Sequence, residues 1–495
     1  MTLSSVRLLV AVIICLLAGC GKKGSLDPLD PVSPVPVDSA FDVNSITDTY
    51  ASITPFAYYT HWGPYNVHDP SIVKSGDYFY CFSTDVGYGI TIKPGIQIRK
   101  SKDLVQWEFV GLAFNGLPAK GAEYITRTGG TPFQSLWAPY VLKVNNQYRL
   151  YYSLSCSVFR LSAIGLATAT TPEGPWTEQD LVVTSSNDFG VTQTNAIDPT
   201  VVVTPQGEHW LYYGSAFDGI YVLKLDANTG LPATSGDKGK RIAQRGFTNG
   251  IVNGNIEGPE IIYNAALNKY YLFIAYDWLE TKYNVRVGRS ANPQGPFLDY
   301  NGKDINNEAD DYPMILAPYQ FQGHGGWQGV SHCSVFEKDG QYFMAHQGRP
   351  SIDKFFMDLH IRKVFWTPDG WPVVSPERYA NVVQSAIAST DLTGDWEQIV
   401  LGYKVVPGYA AEQVNADLQI ATTITLNTDG KINGNAANSW SYFAPWLELK
   451  WNNGAYIDKV YVSRERDWEN KKNSTLVFTG LNNLGIAVWG KKKSL

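Results

Sequence analysis

One hairpin recurs five times along the middle of this chain, and that recurrence narrows the possible folds more than any other feature. The first copy runs Asp69-Pro-Ser-Ile-Val-Lys, then a polar turn, then Tyr78-Phe-Tyr-Cys-Phe. The second joins Ala138-Pro-Tyr-Val-Leu-Lys to Tyr148-Arg-Leu-Tyr-Tyr, and the third joins Asp198-Pro-Thr-Val-Val-Val to Trp210-Leu-Tyr-Tyr. The fourth joins Gly258-Pro-Glu-Ile-Ile-Tyr to Tyr270-Tyr-Leu-Phe; the fifth, His332-Cys-Ser-Val-Phe-Glu into Tyr342-Phe-Met-Ala, lacks the proline. Each copy reads as a strand, a turn and an aromatic strand. The starts are roughly 60–75 residues apart. β-Hairpins at such a period must stack on their neighbours to bury their faces, which indicates a propeller or an array. Further strand-like runs, such as Ala163-Ile-Gly-Leu-Ala, Gly219-Ile-Tyr-Val-Leu and Val285-Arg-Val-Gly-Arg, supply enough strands for four per interval, the content of one blade. No long helical period interrupts them. The expectation is an all-β fold: a five-bladed β-propeller over residues 51–385.

The two ends read differently. Residues 386–495 lose the proline punctuation and alternate as strands, among them Trp396-Glu-Gln-Ile-Val, Ala421-Thr-Thr-Ile-Thr-Leu and Trp446-Leu-Glu-Leu-Lys-Trp. A smaller C-terminal antiparallel β-barrel or sandwich is expected there, with Trp440, Trp446 and Trp451 packing its core rather than forming a sugar platform. At the other end, Arg7 precedes an apolar run, Leu8 to Ala18, too short to span a bilayer. It has the shape of a signal peptide, residues 1–19. Leu17-Ala-Gly-Cys20 resembles the bacterial lipobox, which makes Cys20 the lipidated residue. Pro28, Pro31, Pro34 and Pro36 mark residues 20–50 as a tether. An exported lipoprotein of the outer membrane or cell surface follows, touching the membrane only through its anchor. Cys81, Cys156 and Cys333 then remain: an odd, widely spaced set that reads as buried thiols and not as a disulfide framework. The net charge of −6 offers no basic surface for nucleic acid. A monomer is expected.

The ring geometry carries the functional reading. Equivalent positions of successive blades surround one axis, so residues far apart in sequence meet there. The residues before the repeated proline are Asp69, Ala138, Asp198 and, displaced by one place, Glu257. Proline confines its predecessor and removes a backbone donor, which helps hold a carboxylate at a strand entrance. A lone Asp-Pro is ordinary turn chemistry. Carboxylates at one phase of three blades point instead to acid–base work. Cleaving a glycosidic bond needs one carboxylic acid to protonate the leaving oxygen and one carboxylate to activate water or attack the sugar. A third carboxylate nearby raises the acid's proton affinity by like-charge repulsion.

Across residues 55–380 the chain resembles glycoside hydrolase family 43, and within it the endo-α-1,5-L-arabinanases. The resemblance rests on Val67-His-Asp-Pro-Ser-Ile, Leu136-Trp-Ala-Pro, Ser162-Ala-Ile-Gly-Leu, Asn195-Ala-Ile-Asp-Pro, Ile256-Glu-Gly-Pro and Asp369-Gly-Trp-Pro-Val-Val-Ser-Pro. It implies inverting hydrolysis of internal bonds in arabinan, with Asp69 as general base, Glu257 as general acid and Asp198 tuning and orienting the acid. It also implies two carboxyls roughly 6.5–9.5 Å apart, with room for a water. Asn195, Ala196 and Ile197 are implied as backbone contacts to sugar, with Ser215 bonding a hydroxyl, Phe217 stacking on a furanose and Trp137 on the same surface. Ala216 stands where an aromatic is more usual, and Ser155–Leu161 departs from the commoner glycine-containing loop. His332 opens the fifth hairpin at the carboxylate phase. Its residue type alone suits a hydrogen-bonded core histidine, whereas the resemblance implies a metal facing it, calcium, with water completing the shell since calcium prefers oxygen. The Gly323–Gly329 loop, with Trp327 as a platform, is expected along the cleft. Two alternatives share these residues. One is an exo-acting arabinofuranosidase or xylosidase of the same family. The other is a surface glycan-binding propeller, which has no need of an acid–base set.

Overall fold

The computed structural model describes residues 41–493, apart from 189, 191–193, 246, 249–250, 253–254, 308–310 and 403–416. The signal segment, Cys20 and the tether up to residue 40 lie outside the described residues.

Four of the five repeats stand as separate four-stranded antiparallel sheets paired in chain order. The first comprises Ser71–Ser75, Tyr78–Ser83, Gln97–Ser101 and Glu108–Leu112. The second comprises Trp137–Val144, Gln147–Ser155, Ser162–Ala169 and Thr177–Ser185. The third comprises Thr200–Val203, His209–Tyr213, Ile220–Leu225 and Lys240–Ala243. The fourth comprises Ile256–Asn264, Lys269–Tyr276, Asn284–Ser290 and Met314–Leu316. The fifth repeat pairs in the same order, Ser334–Lys338, Gln341–Pro350, Asp358–Trp366 and Pro372–Val374. It differs from the expected free-standing unit because it is merged into a seven-stranded sheet. Its second strand is long enough for the far end to pair with Trp327–Gln328, which leads on to Tyr319–Gln320 and Gln419–Ile420. The arrangement is propeller-like: each first strand touches the first strand of the next sheet, and the fifth touches the first.

The aromatic strands explain why the sheets face one another. Side chains alternate between the two faces of a strand. Tyr80 and Phe82 enter the core shared with the second sheet, while Phe79 and Cys81 enter the core shared with the fifth. Leu150 and Tyr152 against Tyr151, and Tyr212 against Leu211 and Tyr213, repeat the division. A strand covered on both faces must be apolar along its length, which is why these runs lack the usual alternation. One short helix was not expected from the sequence: Ala119–Arg127 buries Gly121 and Ile125 against the second sheet.

The C-terminal unit is a barrel and not a sandwich. Its eight strands begin at Gly394–Val400, which pairs with Ala487–Lys492 and so closes the ring. Trp396, Leu447, Val460 and Phe478 fill its interior. Trp440 and Trp451 pack partly buried against that core, as expected, and their indole N–H groups donate to Asn427 O and Asp458 Oδ2. Ile399, Leu481, Ala487 and Trp489 on the outer wall join the core of the fourth and fifth sheets. Lys363 pairs with Glu465 across the same junction at 2.8 Å.

Candidate active site

The site begins with a backbone habit. Asp69, Ala138, Asp198, Gly258 and His332, one residue at the head of each repeat, all adopt left-handed φ values of 52°, 32°, 59°, 56° and 51°. The conformation is unfavourable for residues with a Cβ, so tertiary bonds must hold it. A polar side chain of one sheet catches the N–H of the next sheet's left-handed residue. Asp69 N donates to Gln347 Oε1, Ala138 N to Thr84 Oγ1 and Asp198 N to Ser153 Oγ. Three residues further along, Ile72 N donates to Ser334 Oγ, Val141 N to Ser71 Oγ and Val335 N to Glu260 Oε1.

Asp69 is buried and surrounded by donors. His68 Nδ1 and His332 Nδ1 lie 2.8 and 2.9 Å from its Oδ1, and Thr84 Oγ1 donates to Oδ2 at 2.6 Å. Burial alone would raise its proton affinity; the two imidazoles outweigh burial and hold the carboxyl well below the ordinary aspartate range. Asp198 is equally buried, and its Oδ2 accepts the Gly258 N–H at 3.0 Å. Burial, reinforced by the Glu257 and Asp69 charges and opposed by His332, pushes its carboxyl up to about 8. Burial would likewise lower the His332 imidazole, but Asp69 overrides it and raises the group to about 9.

Glu257 precedes the left-handed position because that position must be glycine. A Cβ on Gly258 would come within 2.8 Å of His332 Nδ1. The pairing of Ile256–Asn264 shifts register between Glu257 and Glu260, and a similar shift between Trp137 and Tyr140 brackets Ala138-Pro139. Glu257 stays half-buried, with Ser215 Oγ donating to Oε2 at 2.8 Å and Tyr283 Oη donating to Oε1 at 2.9 Å.

The expected sugar contacts divide. Ala196 and Ile197 are buried, and Ala196 N donates to Ser185 Oγ at 2.9 Å. Asn195 is half-buried with Oδ1 near the same hydroxyl. The Ser215 hydroxyl, expected on a sugar, is committed to Glu257. Phe217 meets Phe159 edge to face at 4.6 Å, with the Arg160 guanidinium over its ring. Trp137 is half-buried, stacks on Phe133 and donates to Ser135 Oγ. Trp327 is no platform: it is 1% exposed and packs edge-on against His360, because its strand is buried inside the fifth repeat's sheet. His324 of the same loop pairs with Asp48.

Sequence reasoning missed His68, Thr84, Tyr283 and Glu260. His68 lay in a segment already singled out. Glu260 shares its place after the proline with Ser71 and Thr200, and it accepts from Thr200 Oγ1 at 2.9 Å. Thr84 and Tyr283 follow second strands or precede third ones, where no repeat distinguishes them.

Two places bear on a metal. His332 turns Nδ1 to Asp69, so only Nε2 is left to offer a cation, an arrangement that suits a ligating imidazole oriented by a carboxylate. Among the described residues, one trio could hold an ion: Glu377, Asp467 and Glu469, with ligand atoms within 4.8 Å of one another. The Lys491 ammonium lies among them at 3.0, 3.1 and 2.6 Å and supplies positive charge there.

Acidic groups with opposed proton affinities, brought together at the heads of first strands that touch in a ring, are what hydrolysis of a glycosidic bond requires. Residues 63–372 match the family described as Glycosyl hydrolases family 43, and residues 376–490 match a C-terminal lipocalin-like domain. The chain belongs to glycosyl hydrolase family 43 and is a glycoside hydrolase. Among its relatives is an extracellular endo-α-(1→5)-L-arabinanase of Thermotoga petrophila, 30% identical over 86% of this chain and 93% of that protein. Extracellular endo-α-(1→5)-L-arabinanase 2 of Bacillus subtilis is 27% identical over 86% of this chain and 93% of its own. The crystal structure of endo-1,5-α-L-arabinanase from T. petrophila superposes with a TM-score of 0.74 at 29% identity, covering 87% of this chain and 99% of that one.

Proposed function

We propose that this protein is an exported endo-α-1,5-L-arabinanase that hydrolyses internal bonds of arabinan with inversion. The observation that carries this reading is the opposed environment of two acids at equivalent positions of the ring, Asp69 with its proton affinity lowered and Asp198 with its proton affinity raised, beside a half-buried Glu257. In this reading Asp69 takes the proton of the attacking water. Glu257 protonates the departing sugar oxygen. Asp198, against Gly258 and next to Glu257, keeps a proton on that pair by like-charge repulsion. Asn195 lines the sugar, with the buried Ala196 and Ile197 fixing the segment behind it, and Phe217 and Trp137 supply ring faces. Ser215 acts through Glu257. His332 Nε2 would be the protein ligand for a divalent cation, calcium, with water completing its shell; binding would require the imidazole to give up a proton, and the ion's charge would favour the ionised form of carboxylates nearby.

The ring is read as five-bladed, because five first strands touch in cyclic order and the fifth repeat keeps the strand order of the other four. The chain is divided into a signal peptide 1–19, a lipid-anchored tether 20–50 with Cys20 acylated, a catalytic propeller 51–385 and a C-terminal β domain 386–495, acting as a monomer.

Incubation with linear α-1,5-arabinan and with xylan, followed by product analysis, tests the activity. Oligosaccharides released early from arabinan support internal cleavage; monosaccharide alone makes the enzyme exo-acting, and binding without hydrolysis makes it a glycan-binding propeller. Proton NMR of the first product gives the anomeric outcome, and retention would overturn the inverting assignment. Activity that survives both chelation and His332→Ala would remove the cation.

A further inference from the structure

We propose that Tyr283 is a positioning residue for the acid. Together with Ser215 it clamps both oxygens of Glu257 and fixes the direction in which the proton is delivered.

The clamp is built from two different sheets. Ser215 follows the second strand of the third sheet, and Ala216 N donates to Ile256 O at 2.7 Å, so its loop is pinned to the strand that carries Glu257. Tyr283 precedes the third strand of the fourth sheet, whose neighbour pairs Ala275 with Glu257. Ser215 is 3% and Tyr283 1% exposed, so neither hydroxyl is offered to the cleft as a general sugar contact. One hydroxyl serves each carboxyl oxygen. The Tyr283 phenol also lies in the field of Asp69 and Asp198. Burial first, and then the carboxylates of Glu257, Asp69 and Asp198, raise it well above the ordinary tyrosine range, so it remains a donor throughout the working pH span. A half-buried glutamate on a bulged strand has several rotamers available. Two fixed donors on opposite oxygens leave one, and a misplaced acid transfers its proton poorly even when its chemistry is intact.

This inference rests on Glu257 being the acid, and the test separates the two. Tyr283→Phe removes one hydroxyl and keeps the ring. Losing a hydrogen bond to a charged group lowers kcat on unactivated arabinan roughly 10- to 100-fold with little change in KM. The alkaline limb of the pH–rate profile moves to higher pH, because a donor that favoured the ionised carboxylate is gone. An aryl arabinofuranoside with a good leaving group loses much less. Ser215→Ala behaves likewise, and the double variant falls short of the product of the two single effects. Equal losses on both substrates with an unmoved limb would make Tyr283 merely structural and overturn the proposal, as would wild-type rates in Tyr283→Phe. If Glu257→Gln itself retains activity on arabinan, the acid assignment fails instead.

Discussion

Asp69 and Asp198 begin as the same object. Each is an aspartate before a proline at the head of a repeat, left-handed in φ and buried. Their proton affinities nevertheless diverge to opposite sides of the ordinary value. The difference comes from chain brought in from elsewhere. The first sheet closes the ring against the fifth, which brings His332 to Asp69, and His68 and Thr84 complete the cage. The third sheet faces the fourth, which brings Glu257, a like charge, and a backbone N–H. A local motif therefore places a carboxylate, and the identity of the neighbouring blade decides what the carboxylate does.

Removing the chemistry breaks the comparison outright. Asp69→Asn keeps the volume of the side chain but cannot accept a proton, and kcat/KM on linear arabinan falls about 10²–10⁴-fold. Glu257→Gln falls by a similar factor on arabinan and far less on an aryl glycoside. Matched losses on both substrates for Glu257→Gln would remove its role as acid.

How much of this was legible beforehand follows from what repeats. The hairpin period exposed the ring, and the phase of Asp69, Asp198 and His332 within it was readable from the proline and its missing copy. Glu257 was readable only as displaced, and its displacement has a steric cause, the His332 ring against Gly258, that no single sequence displays. Tyr283 and Thr84 were invisible because their value depends on which sheet faces which. Ser215 was visible, but its partner was not. The merged fifth sheet escaped notice because Trp327 and Gln328 lie in a glycine-rich stretch that reads as loop, yet pair with Pro350 and Arg349.

Asp198→Asn sharpens the comparison with a smaller effect, roughly a 10- to 100-fold loss in kcat on arabinan. The alkaline limb moves to lower pH, because a like charge that helped keep a proton on the pair is gone. Stability carries a second sign. The Asp198 carboxyl sits at about 8 in the folded protein against 3.8 ordinarily, so its contribution is full below pH 3.8 and is lost as pH rises through about 8. The thermal midpoint of wild type minus that of Asp198→Asn should therefore fall between pH 5 and pH 8. A constant difference would deny the raised affinity.

Gly258→Ala asks whether the glycine exists for His332. A left-handed residue with a Cβ costs about 1–2 kcal/mol, and here the Cβ also meets the imidazole at 2.8 Å. A modest loss of stability and a roughly tenfold loss of activity are expected. Combining it with His332→Ala should recover part of the stability; a simple sum of the two losses would show that the ring is not what excludes the methyl.

The smallest effect belongs to Glu260, three residues beyond Glu257 on the same strand. It is fully embedded, accepts from Thr200 Oγ1 and Val335 N, and is pushed up to about 7 by burial, with those donors opposing. Nothing in that setting faces a sugar; it stitches the third, fourth and fifth sheets. The Glu260→Gln variant would keep an acceptor for Val335 N and turn its amide toward the Thr200 hydroxyl, which can accept. Folded proton affinity above the unfolded value means that the wild-type carboxyl contributes fully below about pH 4.5 and loses that contribution as pH rises through about 7. Glu260→Gln should thus match wild type in thermal midpoint near pH 4.5 and exceed it slightly at pH 8, with kcat on arabinan within about twofold. Parallel melting curves across that span would mean that Glu260 is no more protonated in the fold than out of it. The pair Glu257→Gln and Glu260→Gln then tests, along one strand, whether the same residue type serves different ends according to which sheet it meets.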